Sequence, residues 1–264
     1  MGTVFTVENT FLDIQNGRPE LAVLPLAQHE PHGPHLPVGT DGIIVGALAS
    51  RIAGRLEVPV FLLPVWPVGT SGPHRGQPGT VSLEPETLWA VVADIAASLE
   101  AHEIRKLVVI NGHGLPTGPG ARPWGNPVVK TAVRQLNYEH PSLTAVWLQP
   151  FALAGPALRG VFPAGDIHAG DLETSVLLYL APELVRGSAP DFLPDQPPSY
   201  LEFAPFASLS PTGVWGRPSQ ASAEKGRLAV EAAVNASVEY INRTLGFLGQ
   251  VRPAERREQH VDPA

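Results

Sequence analysis

The sequence predicts an α/β fold, a single three-layer α/β/α domain with a mainly parallel sheet. Short apolar runs alternate along the 264 residues with segments of helical periodicity, which is typical of parallel strands joined by crossover helices. The run 106–110 is almost entirely apolar, as expected of a strand that is covered on both faces. In such sheets ligands bind beyond the carboxyl ends of the strands.

The first two strands are predicted at 21–27 and 58–65, where apolar residues run together. Between them, residues 41–56 carry apolar side chains at helical spacing, for example at Ile44 and Leu48. A helix at 84–102 follows and begins near a proline, a residue that is favoured in the first turn of helices. The remaining elements continue the alternation, with strands at 106–110 and 143–148 and helices at 127–138, 172–180 and 221–245.

Two stretches, 115–127 and 187–220, are rich in proline and carry no regular pattern. A good helical pattern resumes after the second stretch, so we interpret it as a folded excursion rather than a linker. Residues 1–250 are therefore expected to form one domain. The final residues, 251–264, are polar and balanced in charge, and we expect them to form a loose tail.

The composition excludes several classes of protein. A net charge of −7 argues against nucleic acid as a partner. The absence of cysteine excludes disulfides, thiolate metal sites and thiol nucleophiles. Residues 1–16 lack the pattern of a signal peptide. The longest apolar stretch, 58–69, is broken by prolines and falls short of the ~20 residues of a membrane helix. We expect a soluble, cytoplasmic protein without a membrane partner.

Charged residues make up 16% of the chain, against ~25% in ordinary globular proteins. The sparse charge fits either a neutral monomer surface or a surface that is partly covered in subunit contacts. We favour a homo-oligomer, because assemblies need fewer solvating charges.

Histidine and acidic residues cluster at three places where a predicted strand ends or a predicted helix begins. They are Glu30, His32 and Asp41 after the first strand, His113 after the third strand, and His168 and Glu173 at the start of a later helix.

Imidazole and carboxylate groups that converge from separate segments are typical ligands of a divalent metal ion. Glu30 and His32 are two residues apart, so their side chains point the same way in an extended segment. Asp41 offers two oxygens, which can bridge two ions ~3.5–4 Å apart. A lone histidine is more often structural, and a Glu-x-His pair alone is weak. The coincidence of three clusters favours a metal site.

The clusters resemble motifs of the creatininase (creatinine amidohydrolase) family. The motifs are Glu30-Pro-His-Gly-Pro-His-Leu-Pro with Asp41, Asn-Gly-His-Gly at 111–114, and His-Ala-Gly-x-x-Glu-Thr-Ser at 168–175. The Gly-Thr-rich segment 69–83 and the stretch 210–218, which leads to Glu-Lys-Gly at 224–226, are similar to further segments of the family. The resemblance spans residues 20 to 245.

The resemblance implies an α/β fold, two divalent metal ions per subunit, hydrolysis of an amide C–N bond and commonly a homohexamer. By motif position it assigns Glu30, Asp41 and His113 to one metal, and His32 and Asp41 to the other, with Asp41 as the bridge. His168 and Glu173 match the later active-site pair of the family. Nitrogen and oxygen ligands suit zinc, manganese or iron alike.

His168 and Glu173 have separate expected roles. An imidazole has an ordinary pKa of about 6.5, so His168 is the candidate that moves a proton to the leaving nitrogen. Glu173 either ligates a metal or orients the nucleophile.

One position departs from the family pattern. Creatininase itself has a metal-binding glutamate two residues after the Asn-Gly-His histidine, and this chain has Leu115 there. The departure argues against creatinine as the substrate and leaves a vacancy that Glu173 can fill. We therefore expect hydrolysis of a cyclic amide, a formamide or a small peptide. The open alternative is a metal-bound, non-catalytic protein that binds a small ligand, which the presence of His168 and Glu173 disfavours.

The aromatic residues of the two irregular stretches either wall a substrate pocket or pack in the core. They are Trp124, Phe203, Phe206 and Trp215. The remaining histidines are expected to support the site or the fold, at His29, His35 and His74, or to lie on the surface, at His102, His140 and His260.

Overall fold

The computed structural model describes residues 2–114 and 127–251. Its central layer is a parallel sheet with the strand order β1-β3-β2-β4-β5. The strands are β1 (Val4–Phe5), β2 (Leu21–Leu26), β3 (Val60–Leu62), β4 (Lys106–Asn111) and β5 (Thr144–Leu148). The expectations for Leu115, Trp124, His260 and the tail beyond Val251 concern residues outside the described ranges.

Helices cover both faces of the sheet. They are α1 (Phe11–Gly17), α2 (Thr40–Ala53), α3 (Pro85–Ala101), α4 (Pro127–Glu139), α5 (Pro150–Ala154), α6 (Asp171–Leu180), α7 (Phe206–Leu209) and α8 (Ala223–Val251). Successive side chains of a strand point to opposite faces. Val108 and Ile110 of β4 accordingly pack in the cluster that contains α2, α5, α6 and α8, whereas Leu107 and Val109 pack against α3 and α4. The predicted three-layer α/β/α architecture is confirmed.

The strand predicted at 58–65 is shorter in the structure, where β3 covers only Val60–Leu62. The prolines at positions 59 and 64 have no backbone N–H and cannot donate to a ladder. The chain nevertheless continues alongside β2, because the nitrogen of Leu63 donates to the oxygen of Val23 and the nitrogen of Trp66 donates to the oxygen of Pro25.

The elements β1, α1 and α5 were not expected from the sequence pattern. β1 is two residues long, and α5 is five residues long, too short for a periodic pattern. α1 does carry a local signal. The side chain of Thr10 accepts from the nitrogen of Asp13, and the carboxylate of Asp13 accepts from the nitrogen of Thr10, which is a capping box.

The stretch 187–220 is folded, as expected, although little of it is regular. It contains α7 and short 3-10 turns at Pro198–Glu202 and Pro218–Gln220. Backbone hydrogen bonds pair Phe192 with Gly216 and Trp215 with His168, so this stretch is attached to the segment that precedes α6. Among the described helices, none is both long and apolar enough to cross a membrane.

Candidate metal centre

The six residues singled out by the sequence come together at the carboxyl edge of the sheet. Glu30 and His32 follow β2, Asp41 lies in the first turn of α2, His113 follows β4, and His168 and Glu173 lie just before and inside the first turn of α6. All are buried apart from His113, whose side chain is 18% exposed.

Asp41 lies between two histidines from different segments. Its Oδ1 is 3.3 Å from Nε2 of His32, and its Oδ2 is 3.2 Å from Nδ1 of His113. Each oxygen thus faces a different imidazole, which is the arrangement expected of a carboxylate shared by two cations.

His32 directs a nitrogen without a partner at two carboxylates. Its Nδ1 lies 3.0 Å from the backbone oxygen of Glu30. A carbonyl oxygen only accepts, so Nδ1 donates and Nε2 carries the lone pair of the neutral ring. Nε2 is buried without a hydrogen-bond partner in the described part of the chain, and it faces Asp41 and, at 3.8 Å, Oε1 of Glu173.

A lone pair that faces two carboxylates calls for a cation between them, either a proton or a metal ion. Burial lowers the pKa of His32, but Glu173 and Asp41 outweigh burial and raise this pKa well above its ordinary value. A proton and a metal ion would therefore compete for this position.

Glu30 is held through both of its oxygens. Oε1 lies 3.3 Å from Nδ1 of His113, and Oε2 accepts a 2.5 Å hydrogen bond from Ser71 and lies 3.1 Å from Nδ1 of His74. Burial raises the pKa of Glu30, but His113 and His74 lower it well below its ordinary value. For His113 the effects have the opposite sign. Burial lowers the pKa of His113, but Glu30 and Asp41 raise it to about 10. The site strongly favours positive charge.

His168 presents its other nitrogen to the site. Nε2 donates a 2.7 Å hydrogen bond to the backbone oxygen of Pro31, which leaves the Nδ1 lone pair 3.8 Å from Oε1 of Glu30. Burial, followed by electrostatic interaction with the neighbouring His32 and His74, lowers the pKa of His168 to about 4. The ordinary value used in the sequence argument therefore does not hold in the metal-free protein, where His168 is neutral at pH 7.

The segment that carries His168 is anchored by Asp166. Oδ1 of Asp166 accepts from the nitrogen of Asp171 at 2.9 Å, and Oδ2 accepts from the nitrogen of Leu172 at 2.8 Å. Burial raises the pKa of Asp166 to about 7. A Cβ atom at Gly170 or Gly216 would lie 1.5 Å or 2.0 Å from Oδ1, so only glycine at these two positions lets the backbone close around the carboxylate.

Glu173 is oriented by the same segment. Its Oε2 accepts a 2.5 Å hydrogen bond from the nitrogen of Ala169. Ala169 has a φ of 50°, in the left-handed region that residues other than glycine rarely adopt. The other oxygen of Glu173, Oε1, lies 3.8 Å from Nε2 of His32.

Within residues 2–114 and 127–251, three sets of side chains have potential ligand atoms within 4.8 Å of one another. They are Glu30, Asp41 and His113; His32, His168 and Glu173; and Glu30, His74 and His168. The first set is the one that motif position assigned to one metal. Sequence reasoning placed His74 only in a supporting role and missed its contact with Glu30, although the Gly-Thr-rich segment that contains it was a recognisable signal.

A cavity of about 340 Å³ adjoins the site, with Glu30, Asp41, His113 and His168 at its polar end and Ile167, Leu201 and Phe206 on its apolar side. Of the aromatic candidates, Phe206 therefore lines the pocket. Trp215 is buried behind it, with ring centroids 6.3 Å apart. Phe203 is 81% exposed and does not belong to the core.

The remaining described histidines lie outside the site. His35 is buried, and its Nε2 lies 2.8 Å from the hydroxyl of Thr174. His102 is exposed. His140, expected on the surface, is instead half-buried, with Nδ1 2.9 Å from a carboxylate oxygen of Glu100.

The family model described as creatininase, creatinine amidohydrolase, matches residues 8–241. The chain belongs to the creatininase family. It is thus a hydrolase of the amidohydrolase type, and the resemblance found in the motifs is confirmed.

Two relatives of this creatininase-family chain carry different activities in their names. A mycofactocin precursor peptide peptidase of Mycobacterium ulcerans is 38% identical over 84% of this chain and 84% of its own length. A creatinine amidohydrolase of Pseudomonas putida is 30% identical over 80% of this chain and 85% of its own length. One relative is thus named for a peptide substrate and the other for creatinine.

Solved creatininase structures share the fold. One, named creatininase Mn, superposes with a TM-score of 0.76 at 25% identity and covers 92% of this chain and 99% of its own. A mutant creatininase of Zn-Zn type superposes with a TM-score of 0.72 at 25% identity and covers 90% of this chain and 98% of its own.

Proposed function

We propose that this creatininase-family hydrolase is a two-metal peptidase that cleaves a peptide amide bond. The observation that carries the proposal is the buried, unpartnered Nε2 of His32, which faces the carboxylates of Asp41 and Glu173. Buried carboxylates and a bare imidazole nitrogen at one point form a site for divalent cations.

The donor atoms fall into two groups with one shared member. Glu30, Asp41 and His113 would hold one metal ion, and His32, Asp41 and Glu173 would hold the other. We assign Glu173 as a ligand, because its Oε1 lies on the side of His32. Manganese and zinc are the metals in the names of the two solved relatives, and the nitrogen and oxygen donors here suit either one.

When bound, the ions supply a Lewis acid that polarises the scissile carbonyl and lowers the pKa of water from ~16 towards ~7. The chain's own residues then handle the proton. The hydrogen bond from His168 to the oxygen of Pro31 fixes the ring with Nδ1 towards the site. His168 is neutral at pH 7, so Nδ1 can accept a proton from the nucleophile and pass it to the leaving nitrogen.

Two observations support a peptide substrate. The relative with 38% identity is named as a peptide peptidase. In addition, the catalytic cavity shares Pro85, Pro127 and Val128 with an open groove of about 470 Å³, which also includes Trp89 of α3 and Thr131 of α4. A substrate that runs from the metal site into this groove is longer than a cyclic amide.

The test is hydrolysis by the metal-loaded protein of a panel that contains a synthetic mycofactocin precursor peptide, creatinine and a formamide, with products identified by mass spectrometry. We expect cleavage of the peptide and little or no turnover of creatinine. Full metal loading without turnover of any compound would favour the alternative of a non-catalytic binding protein.

We also propose that the chain forms one domain over residues 1–250 and assembles into a homo-oligomer, with a hexamer favoured. Exposed apolar side chains at the N-terminus support subunit contact, since Val7 is 68% exposed, Phe11 76% and Leu12 51%. Light scattering of the purified protein measures the assembly directly, and a monomeric mass would refute it.

A further inference from the structure

His74 lies beside the metal site and has no assigned role. It ends the short 3-10 turn Gly72–His74 in the Gly-Thr-rich segment, and its ring lines the catalytic cavity. The residue is only 6% exposed. Its ring contacts two others, with centroids 4.5 Å from Phe206 and 4.9 Å from His168, and these two rings also contact each other.

The Nδ1 atom of His74 has polar partners within the protein. It lies 3.1 Å from Oε2 of Glu30 and 2.9 Å from the hydroxyl of Ser71, which itself donates to the same oxygen of Glu30. A carboxylate oxygen only accepts, so Nδ1 of His74 is the donor in this contact. The ring is thereby fixed in position and in tautomer.

The Nε2 atom of His74 has no such partner among the described residues. It is buried and makes no hydrogen bond to any described residue. With the ring hydrogen on Nδ1, neutral His74 carries a lone pair at Nε2. Buried acceptors are nearly always paired in native proteins. A bare acceptor on a ring that lines the catalytic cavity is therefore suited to a donor that arrives with the substrate.

We propose that Nε2 of His74 accepts a hydrogen bond from a backbone N–H of the peptide substrate. The inference rests on the proposed peptidase function and deepens it. Because Nδ1 of the same ring contacts Glu30, Nε2 is separated from a carboxylate of the proposed metal site only by the imidazole ring. The N–H that it selects therefore belongs to an amide within one residue of the scissile bond. Substrates that lack this N–H should bind more weakly.

Two substitutions separate this role from the support of Glu30. Asparagine at position 74 can keep a donor near Nδ1 but has no group near Nε2, whereas the longer glutamine side chain can reach the Nε2 position with an acceptor. If His74 binds substrate, His74→Asn lowers kcat/KM for the peptide about tenfold to a hundredfold, mainly through KM, and His74→Gln restores most of the loss. Elemental analysis of both variants should still give the wild-type metal content.

The same variants are then assayed on peptides that are N-methylated, one at a time, at each amide next to the scissile bond. One N-methyl group should impair the wild-type protein and cause no further loss in His74→Asn. Equal activity of His74→Asn and wild type on the peptide overturns the inference and leaves the peptidase function intact. Loss of a metal ion in both variants also overturns it, because His74 would then act as a ligand with Glu30 and His168. If the wild-type protein cleaves no peptide, the proposed function fails and this inference fails with it.

Discussion

Nε2 of His32 lies 3.3 Å from Oδ1 of Asp41, while Nδ1 of the same ring donates to the backbone oxygen of Glu30. Glu30 therefore orients a donor of one proposed metal position with its backbone and contributes its carboxylate to the other. Asp41 contacts both positions through its two oxygens. Because the two groups of donors share Asp41, the loss of this residue should affect both.

Asp41→Ala should remove both metal ions, because the carboxylate that faces both His32 and His113 is lost. Elemental analysis of the purified variant measures the metal content. Asp94→Ala, at an exposed position on α3, is the matched control and should keep the full content. Two metals per chain in Asp41→Ala would refute the bridging assignment.

Glu173→Gln should release one metal ion and keep the other. The amide keeps the shape of the side chain but loses the charge next to His32, whereas the set of Glu30, Asp41 and His113 is left intact. Titration with manganese, followed by calorimetry, counts the sites. Two sites of wild-type affinity would instead favour the role of Glu173 in orienting the nucleophile.

His168→Ala should keep both metals and lose activity. General acid-base catalysis contributes about 10²–10⁴-fold to rate, so we expect a fall in kcat of that order on the cleaved peptide. Metal content is the control measurement. Activity near that of wild type would assign the proton transfer to another group.

Metal binding to the metal-free protein should release protons. Glu30 and Asp41 overcome burial and raise the pKa of His113 to about 10, so this ring carries a proton at pH 8 that a metal ion must displace. Because the proton competes with the metal, the apparent affinity should rise as pH increases from 7 towards 10. Calorimetry in buffers of different ionisation enthalpy measures the released protons. An affinity that is constant over this range would contradict the prediction.

Gly216→Ala should destabilise the segment before α6. A Cβ there would lie 2.0 Å from Oδ1 of Asp166 and 2.8 Å from Cα of Gly170, and overpacking of this kind costs about 1–3 kcal/mol in the free energy of unfolding. We also expect lower activity, because the same segment positions His168. Urea unfolding measures the effect. Gly246→Ala in α8, where a Cβ meets nothing within 4 Å, is the control and should be neutral or stabilising by up to ~1 kcal/mol.

The sequence predicted the parts of the fold that depend on long periodic patterns. The buried runs of β2 and β4 and the helical spacing of α2 are local signals, and the strand ends then brought Glu30, Asp41 and His113 to one edge of the sheet. The two-residue strand β1 has no such pattern. Its pairing with β3 depends on contacts far apart in the sequence.

The geometry around the site was harder to predict. His74 lies in an irregular segment after β3, and its approach to Glu30 depends on the path of that segment. Asp166 lies two residues before the motif at 168–175, and the sequence pattern gave it no role. Its role as an anchor becomes visible only when Gly216 is brought against it from the distant stretch 210–218. The low pKa of His168 likewise arises from burial and from neighbours that come from other segments.

The central claim is a two-metal centre bridged by Asp41. A crystal structure of the metal-loaded protein, with anomalous scattering recorded at the manganese, iron and zinc edges, tests it most directly. We predict two anomalous peaks on either side of Asp41, one in contact with Glu30 and His113 and the other with His32 and Glu173. A single peak, or two peaks that do not share Asp41, would contradict the account.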